Sequence, residues 1–470
     1  MSTFSGLNTA YSGLVASRTG IEVAGQNIAN AKTAGYTRQR VNQEAMIPLA
    51  ATGRISARLA TAGQGVSVTG IARLGDSFLD ARVRTTFGTS GYANVRASSL
   101  STLEKSLNEP STTGISSQLG DFWSSWQDLA NNAGKAAAGA VVIEEAGVLA
   151  SQIAAGYTAV ADEWNAVRST AGSQANELNF AATQVAELNV IIRDTLNRGG
   201  SVNELLDQRS QYTTAIASLA GGTVNERPDG TVDVVIGGNV LVSGDSANAV
   251  VLGGSTTIDG TGVTLEWASH PGRPVALSSG ELAGSLSVLA PTAGGKGGPL
   301  AEAAESYNKL ATTLATQVNA VHSTGKTATG APGGDFFAVA AGPAALGLSV
   351  IPTTSDEIAT AAGNAGNLDG SNADKIAQLR LGANSPDSVW STFVTTVAVS
   401  TKNALQQSKL ADLAAGAASS AQLSQASVDV DEENVNLVMS QTAYQASARV
   451  LTAVDEMLDT LINRTGLVGR

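Results

Sequence analysis

Three residues in the second half of the chain match the end of a phosphate-binding loop. Gly325, Lys326 and Thr327 fit the last positions of the P-loop pattern, in which backbone N–H groups and the lysine hold phosphate oxygens. The pattern requires another glycine five residues earlier, where this chain has Ala320. The triplet also follows a predicted helix, whereas a P-loop follows a strand. We therefore predict no nucleotide site.

Other residues with catalytic or ligating chemistry stand alone in the sequence. Ser306 and Lys309 fit the S-x-x-K pattern of penicillin-recognising enzymes, but the partner motifs of those enzymes are missing. The two histidines, His270 and His322, lack a metal ligand at a suitable spacing, so we predict that they lie at the surface or in turns. The sequence predicts no catalytic residue, no cofactor-binding residue and no metal ligand. We expect a protein that is not an enzyme and needs no cofactor.

An acidic cluster precedes the last apolar stripe of the chain. It consists of Asp429, Asp431, Glu432 and Glu433. Carboxylates at the start of a helix accept hydrogen bonds from its first N–H groups and oppose its dipole. A metal site is the alternative, but a helix start accounts for the spacing without a ligand. We therefore interpret the cluster as a helix N-terminus.

Composition excludes several classes of partner. The net charge is −12 and only 28 of the 470 residues are Lys or Arg, with no basic stripe that could neutralise phosphates. We predict that the chain binds neither nucleic acid nor a membrane, since its apolar runs are also shorter than a membrane span. There is no cysteine, and we see no cleavable signal peptide. The absence of a cleavable signal leaves export by systems that read an uncleaved N-terminal segment as an alternative.

Both ends of the chain carry a narrow apolar stripe with helical spacing, which predicts long coiled-coil-like helices. A helix with one thin apolar stripe needs another stripe to pack against, in the same chain or in a neighbouring subunit. We predict an assembly surface formed by Phe4, Leu7, Tyr11, Leu14, Ile21 and Ile28 at the start, and by Leu437, Tyr444, Leu451, Val454, Leu458 and Leu461 at the end.

A longer stripe runs through the interior from Ala146 to Ile192, in steps of three and four residues. It predicts one very long helix with a coiled-coil seam, or two helices if Gly172 breaks it. Gln174 is the polar member of the stripe, and we interpret it as a solvated interruption.

The order of these patterns predicts a mainly α fold with a β insertion (α+β). Long terminal and central helices form a rod, and a small β-rich outer domain lies at its tip. We expect a terminal-helix domain (1–40 with 428–470), a long-helix rod domain with short β segments that include Ile47 and Ile55 (41–220 with 290–427), and the β-rich insertion (221–289).

A short motif follows the first predicted helix. Residues 29–36 read A-N-A-K-T-A-G-Y and resemble the A-N-x-x-T-x-G-Y signature of flagellar rod, hook and hook-associated proteins, with matches at Ala29, Asn30, Thr33, Gly35 and Tyr36. Gly35 would supply a left-handed or otherwise permissive conformation just past the helix. Further matches to the hook-associated members lie at 203–209 (N-E-L-L-D-Q-R), 334–337 (G-D-F-F) and 430–433 (V-D-E-E).

The resemblance implies a structural axial component of the bacterial flagellum that serves motility. Family members self-assemble into a ring or tube through their terminal helices, and hook-associated members form the hook–filament junction. The resemblance also implies type III export without a cleaved signal peptide to an extracellular position. Implied partners are the hook protein, a second junction protein adjoining the filament, and an export chaperone on the C-terminal helix.

Two other functions remain open from the sequence. A hook or distal rod protein shares the signature near Tyr36, and a secreted adhesin or enzyme-bearing filament protein would use the insertion. Long helices predicted between Phe78 and Leu219 favour the junction role, because hook and rod proteins are mostly β between their ends.

Overall fold

The computed structural model describes residues 3–46, 63–363, 366 and 368–463. The helices are α1 (Thr3–Asn30), α2 (Ser77–Leu107), α3 (Ile115–Asn131), α4 (Ala136–Asn197), α5 (Asn203–Ala220), α6 (Glu281–Val288), α7 (Pro299–His322), α8 (Ala344–Gly347), α9 (Ser371–Ala377), α10 (Pro386–Ala426) and α11 (Val430–Asn463), with 3-10 turns at Ser355–Glu357 and Gln378–Leu381. The strands are β1 (Gln39–Ala45), β2 (Val66–Arg73), β3 (Thr223–Glu226), β4 (Val232–Ile236), β5 (Asn239–Ser243), β6 (Ser246–Ala247), β7 (Val250–Gly254), β8 (Val263–Trp267), β9 (His270–Pro274), β10 (Phe337–Val339) and β11 (Leu348–Val350). The fold is mainly α with small antiparallel sheets, as predicted.

The rod body is built around α4, a single helix of 62 residues that Gly172 does not interrupt. The predicted coiled-coil seam is its buried face, which includes Leu149, Ile153, Leu178 and Val185. By length and apolar composition alone α4 would suit a membrane span, but its apolar face packs against α3, α5 and α7 and belongs to the main hydrophobic core. The seam of the long interior helix is therefore packed within one chain.

An aromatic cluster in the core joins α3 to a distant segment of the chain. Phe122, Trp123 and Trp126 are fully buried, and so are Phe336 and Phe337 on the segment that leads into β10. Ring centroids within the cluster lie 4.8–6.3 Å apart in tilted and edge-to-face arrangements, which aromatic pairs prefer. The cluster joins α3 to the segment after α7.

His322 lies against this cluster, so the prediction that it is a surface or turn residue is wrong. It ends α7 and is 1% exposed. Its Nε2 accepts a hydrogen bond from the Ala359 N–H (2.9 Å), so its Nδ1 carries the proton and donates to the Gly334 carbonyl (2.7 Å). Burial lowers the pKa of the imidazole. The lone histidine therefore ties two loops to α7 in its neutral form.

Gln174 is also buried, so its interpretation as a solvated interruption is wrong. Its Nε2 donates to Glu281 Oε2 (2.8 Å), and its Oε1 accepts from Ser285 Oγ (3.2 Å). Both partners lie on α6. The polar member of the α4 stripe thus positions a neighbouring helix.

The β insertion forms two sheets, with strand orders β3-β4-β5-β6 and β7-β8-β9. Asn189 of α4 holds the first sheet through bonds to Val232 and Gly244, and Asn179 holds β7 through both backbone groups of Val250. The prediction that the insertion lies at the tip of the rod is therefore wrong: the sheets lie along α4. Their apolar residues belong to the same hydrophobic core as the helices.

The hairpin β1–β2 packs against α1 and connects it to the rod body. Its register shifts by one residue between Asn42 and Gln43. Ser12 of α1 accepts a hydrogen bond from the Val66 N–H (3.2 Å). Ile47 and Ile55, which we predicted in short β segments, lie outside the described residues, as do residues 1–2 and 464–470.

Candidate assembly site at the base of the terminal helices

Helices α1 and α11 pack side by side in opposite directions through a regular set of close contacts. Three glycines of α1, seven residues apart, each face one residue of α11: Gly6 with Val454, Gly13 with Ser447, and Gly20 with Ser440. A Cβ atom on Gly20 would lie 2.8 Å from Ser440 Oγ, so glycine lets the two backbones approach closely. We call these three pairs the glycine ladder. A seven-residue repeat keeps all of them on one face of each helix.

This pairing covers the predicted assembly residues only in part. Leu7, Leu14, Ile21 and Ile28 of α1 and Leu437, Leu451 and Leu458 of α11 are half-buried; Val454 is buried, Tyr11 and Tyr444 are exposed, and Phe4 and Leu461 lie within α1 and α11. The sequence reading missed the ladder because glycine and serine carry no hydropathy signal. Their strict seven-residue recurrence was the signal that could have revealed it.

A second set of apolar residues on α11 is more exposed still. Each of its members exposes more than half of its surface: Val435, Val438, Met439, Val450 and Met457. None of them belongs to the predicted assembly surface. An apolar surface of this extent on one helix is typical of an interaction site.

Beyond the ladder, a buried polar group joins α1, α11 and the segment after α1. Asn27 is fully buried, and its Nδ2 donates to the Gln39 carbonyl (2.9 Å) and to Glu433 Oε2 (3.0 Å). Its Oδ1 accepts from Tyr36 Oη (2.9 Å) and from the Gln39 N–H (3.0 Å). All four hydrogen-bonding positions of the amide are therefore used. We call Asn27, Tyr36, Gln39, Glu433 and Arg38 the corner network.

Arg38 closes the corner network on the α11 side. Its Nε and Nη2 lie 2.8 and 2.7 Å from Glu433 Oε1, and its Nη1 donates to Glu432 (2.9 Å). The Glu433 side chain is almost fully buried, and Arg38 and Asn27 supply the hydrogen bonds that a buried carboxylate requires. Hydrogen bonding to Arg38 lowers the pKa of the exposed Glu432 carboxyl. The Asp429 carboxylate accepts from the N–H groups of Asp431 and Glu432, which confirms the helix-start interpretation.

Helix α5 fixes the same segment from the other side. Asp207 accepts from the Thr37 N–H (2.9 Å) and from Arg73 Nε (2.6 Å), so one carboxylate connects α5, the segment after α1 and the end of β2. Gln211 donates to the Ala34 carbonyl (3.1 Å). These α5 residues belong to or follow the N-E-L-L-D-Q-R stretch. The motifs at residues 29–36 and 203–209, which lie far apart in the sequence, therefore lie next to each other in the structure.

The A-N-x-x-T-x-G-Y motif forms the turn that enters the corner network. Ala29 is exposed in the last turn of α1, while Asn30 accepts from the Thr33 N–H (2.9 Å) through its carbonyl and from Thr33 Oγ1 (3.2 Å) through its side chain. These bonds close the chain into a tight turn directly after the helix.

Gly35 has φ = +77°, so the predicted left-handed conformation is confirmed. A Cβ atom there would also collide with the Gln211 side chain. The next residue, Tyr36, is held in the corner network, where burial and then the charges of Glu204, Asp207 and Glu433 raise the pKa of its hydroxyl to about 12. It therefore stays a neutral donor to Asn27.

The polar side chains at this corner bond to each other and to the backbone. Across residues 3–46, 63–363, 366 and 368–463 there is no group of three or more acidic, histidine or cysteine residues that could hold a metal ion. The geometry therefore points to positioning of helices rather than to chemistry on a substrate.

Comparison with known proteins agrees with this architecture. A family model described as the flagellar hook-associated protein FlgK helical domain matches residues 100–337, about half of the chain. Flagellar hook-associated protein 1 of Bacillus subtilis is 30% identical over the full length of both chains. The chain belongs to the FlgK family of flagellar hook-associated proteins.

Other relatives agree with this membership. Flagellar hook-associated protein 1 of Escherichia coli is 29% identical over 71% of this chain and 60% of the relative. The solved structure of the flagellar hook junction protein FlgK from Burkholderia pseudomallei has the same fold, with a TM-score of 0.64 and 16% identity over 73% of this chain and all of that one.

A second family model, the flagellar basal body rod FlgEFG protein C-terminal, matches residues 420–464. That region contains α11 and its half of the glycine ladder. The FlgK relatives are structural flagellar proteins rather than enzymes, which confirms the prediction that this chain is not an enzyme. As a family member it is a flagellum-associated protein that assembles with hook components.

Proposed function

We propose that this chain forms the junction between hook and filament and polymerises through α1 and α11. The observation that carries the proposal is the unpaired apolar surface of α11, where Val438, Met439 and Met457 stay exposed although α1 already packs against another face of the helix. Burying the exposed part of such side chains against a neighbouring subunit contributes on the order of 1 kcal/mol each. The half-buried leucines of the predicted assembly surface would complete the interface.

The corner network gives this proposal its geometry. In a ring or tube of α1–α11 pairs, each pair must hold a fixed angle to its rod body. Glu433 of α11 binds Arg38 and Asp207 of α5 binds the Thr37 N–H, so the angle is set by charged and hydrogen-bonded groups rather than by a flexible linker. We infer three structural units accordingly, with the terminal pair (1–40 with 428–470), the rod (41–220 with 290–427) and the β insertion (221–289).

The proposed partners follow from the exposed helix faces. The hook protein and a second junction protein adjoining the filament would pack on neighbouring terminal pairs. Before assembly, an export chaperone would cover the apolar face of α11, since an exposed face of this kind promotes aggregation. We propose type III export without a cleaved signal peptide and an extracellular final position. The FlgEFG match spans only the C-terminal region, whereas the FlgK helical-domain match spans the interior and favours the junction over a hook or rod role.

The variants Val438→Glu and Met457→Glu test the proposal. Both side chains are exposed in the monomer, so we expect unchanged thermal unfolding of the purified monomer but loss of filaments and motility when each variant replaces the wild-type protein in its own host. Gln441→Glu, an exposed polar site on the same helix, is the matched control and should support normal motility. Normal filaments with both charged variants would refute polymerisation through this face.

A further inference from the structure

A cleft of about 460 Å³ lies between α2, α5 and β3, away from the terminal pair's exposed face. Three arginines line it: Arg73, Arg84 and Arg209. This is a local concentration of guanidinium groups in a chain whose net charge is −12. Two carboxylates, Asp80 and Glu226, share the lining. We call this site the arginine cleft.

The three arginines differ in how far their charge is already neutralised. Arg73 is bound by Asp207 (2.6 Å), and its Nη1 lies 3.7 Å from Asp80. Arg84 and Arg209 have no described carboxylate within ion-pair distance of 4.0 Å. Two cations that lack a carboxylate partner thus face one cleft.

Arg209 is the more deeply placed of the two. It is 7% exposed, and its Nη1 donates to Asn189 Oδ1 (3.0 Å) and to the Gly230 carbonyl (2.7 Å). These neutral acceptors orient the guanidinium but do not balance its charge. Burial lowers its pKa to about 10; the charge of Glu226 opposes this shift, and the charge of Arg73 adds to it. An arginine fork has five N–H donors, so most of them remain for another acceptor.

Arg84 completes the arrangement from α2. It is half-buried, has no hydrogen bond within the described part of the chain, and burial lowers its pKa as well. The two neighbouring carboxylates differ in their surroundings. Asp80 already accepts a hydrogen bond from Gln422 (2.6 Å), whereas Glu226 is exposed at the rim of the cleft. The hydroxyl groups of Ser77 and Thr213 supply further polar lining.

We propose that the arginine cleft binds an oxyanion, held by Arg84 and Arg209 as forked donors. Guanidinium groups match the geometry of carboxylate and phosphate oxygens, and a partly desolvated site strengthens such bonds. The same chemistry can come from a free anion or from an acidic side chain of a second copy of this chain. The proposal does not depend on the function proposed above, because the first arm of its test uses the monomer.

The first arm titrates the full-length monomer with sodium phosphate against sodium chloride at matched ionic strength and records calorimetric binding and melting temperature. We expect phosphate to bind and stabilise the wild type. Arg84→Gln should weaken the apparent affinity about tenfold, since it removes a charged donor that makes no bond within the fold. Arg82→Gln, an exposed arginine on the same helix, is the matched control and should bind like the wild type.

A second variant should change the phosphate affinity in the opposite direction. Glu226→Gln removes the rim carboxylate that competes with the anion, so it should bind phosphate more tightly than the wild type. No phosphate binding beyond that of chloride, or equal binding by Arg84→Gln and the wild type, would overturn the proposal.

The second arm identifies the source of the anion. If a neighbouring subunit supplies the carboxylate, Arg84→Gln should assemble poorly and excess phosphate should inhibit assembly of the wild type. If a free anion is the occupant, Arg84→Gln should assemble normally while still binding phosphate more weakly than the wild type. A defect in assembly with intact phosphate binding in Arg84→Gln would contradict both sources.

Discussion

The aromatic cluster of α3 and the corner network beneath α1 both have fully buried centres, but they bury different chemistry. Phe122 and its ring neighbours contribute contact area and specific packing. Asn27 and Glu433 contribute saturated hydrogen bonds and one buried charge. Apolar packing stabilises the rod and tolerates small displacements of its side chains, whereas a buried ion pair requires a specific geometry. The aromatic cluster therefore mainly stabilises the rod, and the corner network mainly fixes the orientation of the terminal helices.

The largest expected effect is on the stability of the rod. Phe122→Ala should lower the free energy of unfolding by about 3–5 kcal/mol, because it removes a fully buried ring and leaves a cavity. Phe78→Ala, which truncates an exposed ring, is the control and should change it by less than about 0.5 kcal/mol. Urea unfolding monitored by circular dichroism measures both. Equal losses in the two variants would contradict a rod stabilised by its aromatic cluster.

The next effect is local to the corner. Glu433→Ala leaves Arg38 and Asn27 without their buried acceptor, so the terminal pair should open more easily by about 3 kcal/mol. Glu432→Ala removes an exposed, solvent-screened partner of the same arginine and should have a much smaller effect. Hydrogen exchange of α11 amides measures the opening. If the rod amides lose protection as much as α11 does, the corner is not a separate unit.

A pH effect should appear in the rod. Since burial lowers the folded-state pKa of His322 below its ordinary value of 6.5, the unfolded chain binds the proton more tightly. The stability gained by burying neutral His322 is therefore fully present above about pH 6.5. It is lost as the pH falls below that value, by up to about 1.4 kcal/mol per pH unit.

His322→Gln removes the titrating imidazole but keeps a hydrogen-bond donor and an acceptor. The melting temperature of this variant should therefore depend less on pH between 6.5 and 5 than that of the wild type. His270→Gln, at an exposed site, is the matched control. The comparison is made between variant and wild type, because burial raises the pKa of Asp387 and gives that group the opposite sign. Identical slopes in wild type and His322→Gln would contradict the burial of a neutral imidazole.

The smallest effect separates two glycines of the same helix. Gly25→Ala should stabilise the protein by up to about 1 kcal/mol, since alanine favours helix and no neighbouring atom lies within 4 Å of the new Cβ. Gly20→Ala should lose that gain, because its Cβ meets Ser440 Oγ at 2.8 Å. The double change Gly20→Ala with Ser440→Gly should restore part of it. Thermal unfolding that cannot distinguish Gly20→Ala from Gly25→Ala would refute the close approach.

The sequence predicted features whose signal is local. The seam of α4, the helix start at Asp429 and the left-handed Gly35 follow from spacing and residue type within a few turns. The corner network was missed because Asn27 and Glu433 lie 406 residues apart, and no local pattern connects them. His322 was misplaced for a related reason: its partners, two backbone groups on separate loops, leave no mark on side-chain spacing.

The glycine ladder also bears on how the two helices find their alignment. Because glycines recur every seven residues opposite serines that recur at the same interval, sliding α11 by one repeat, about 10 Å, would again place Gly13 or Gly20 against a small residue. That slip would leave the Glu433 carboxylate away from Asn27. The buried pair of Asn27 and Glu433 thus favours one register of the two helices, as buried polar residues do in coiled coils. Every subunit would then present terminal helices of the same length and stagger.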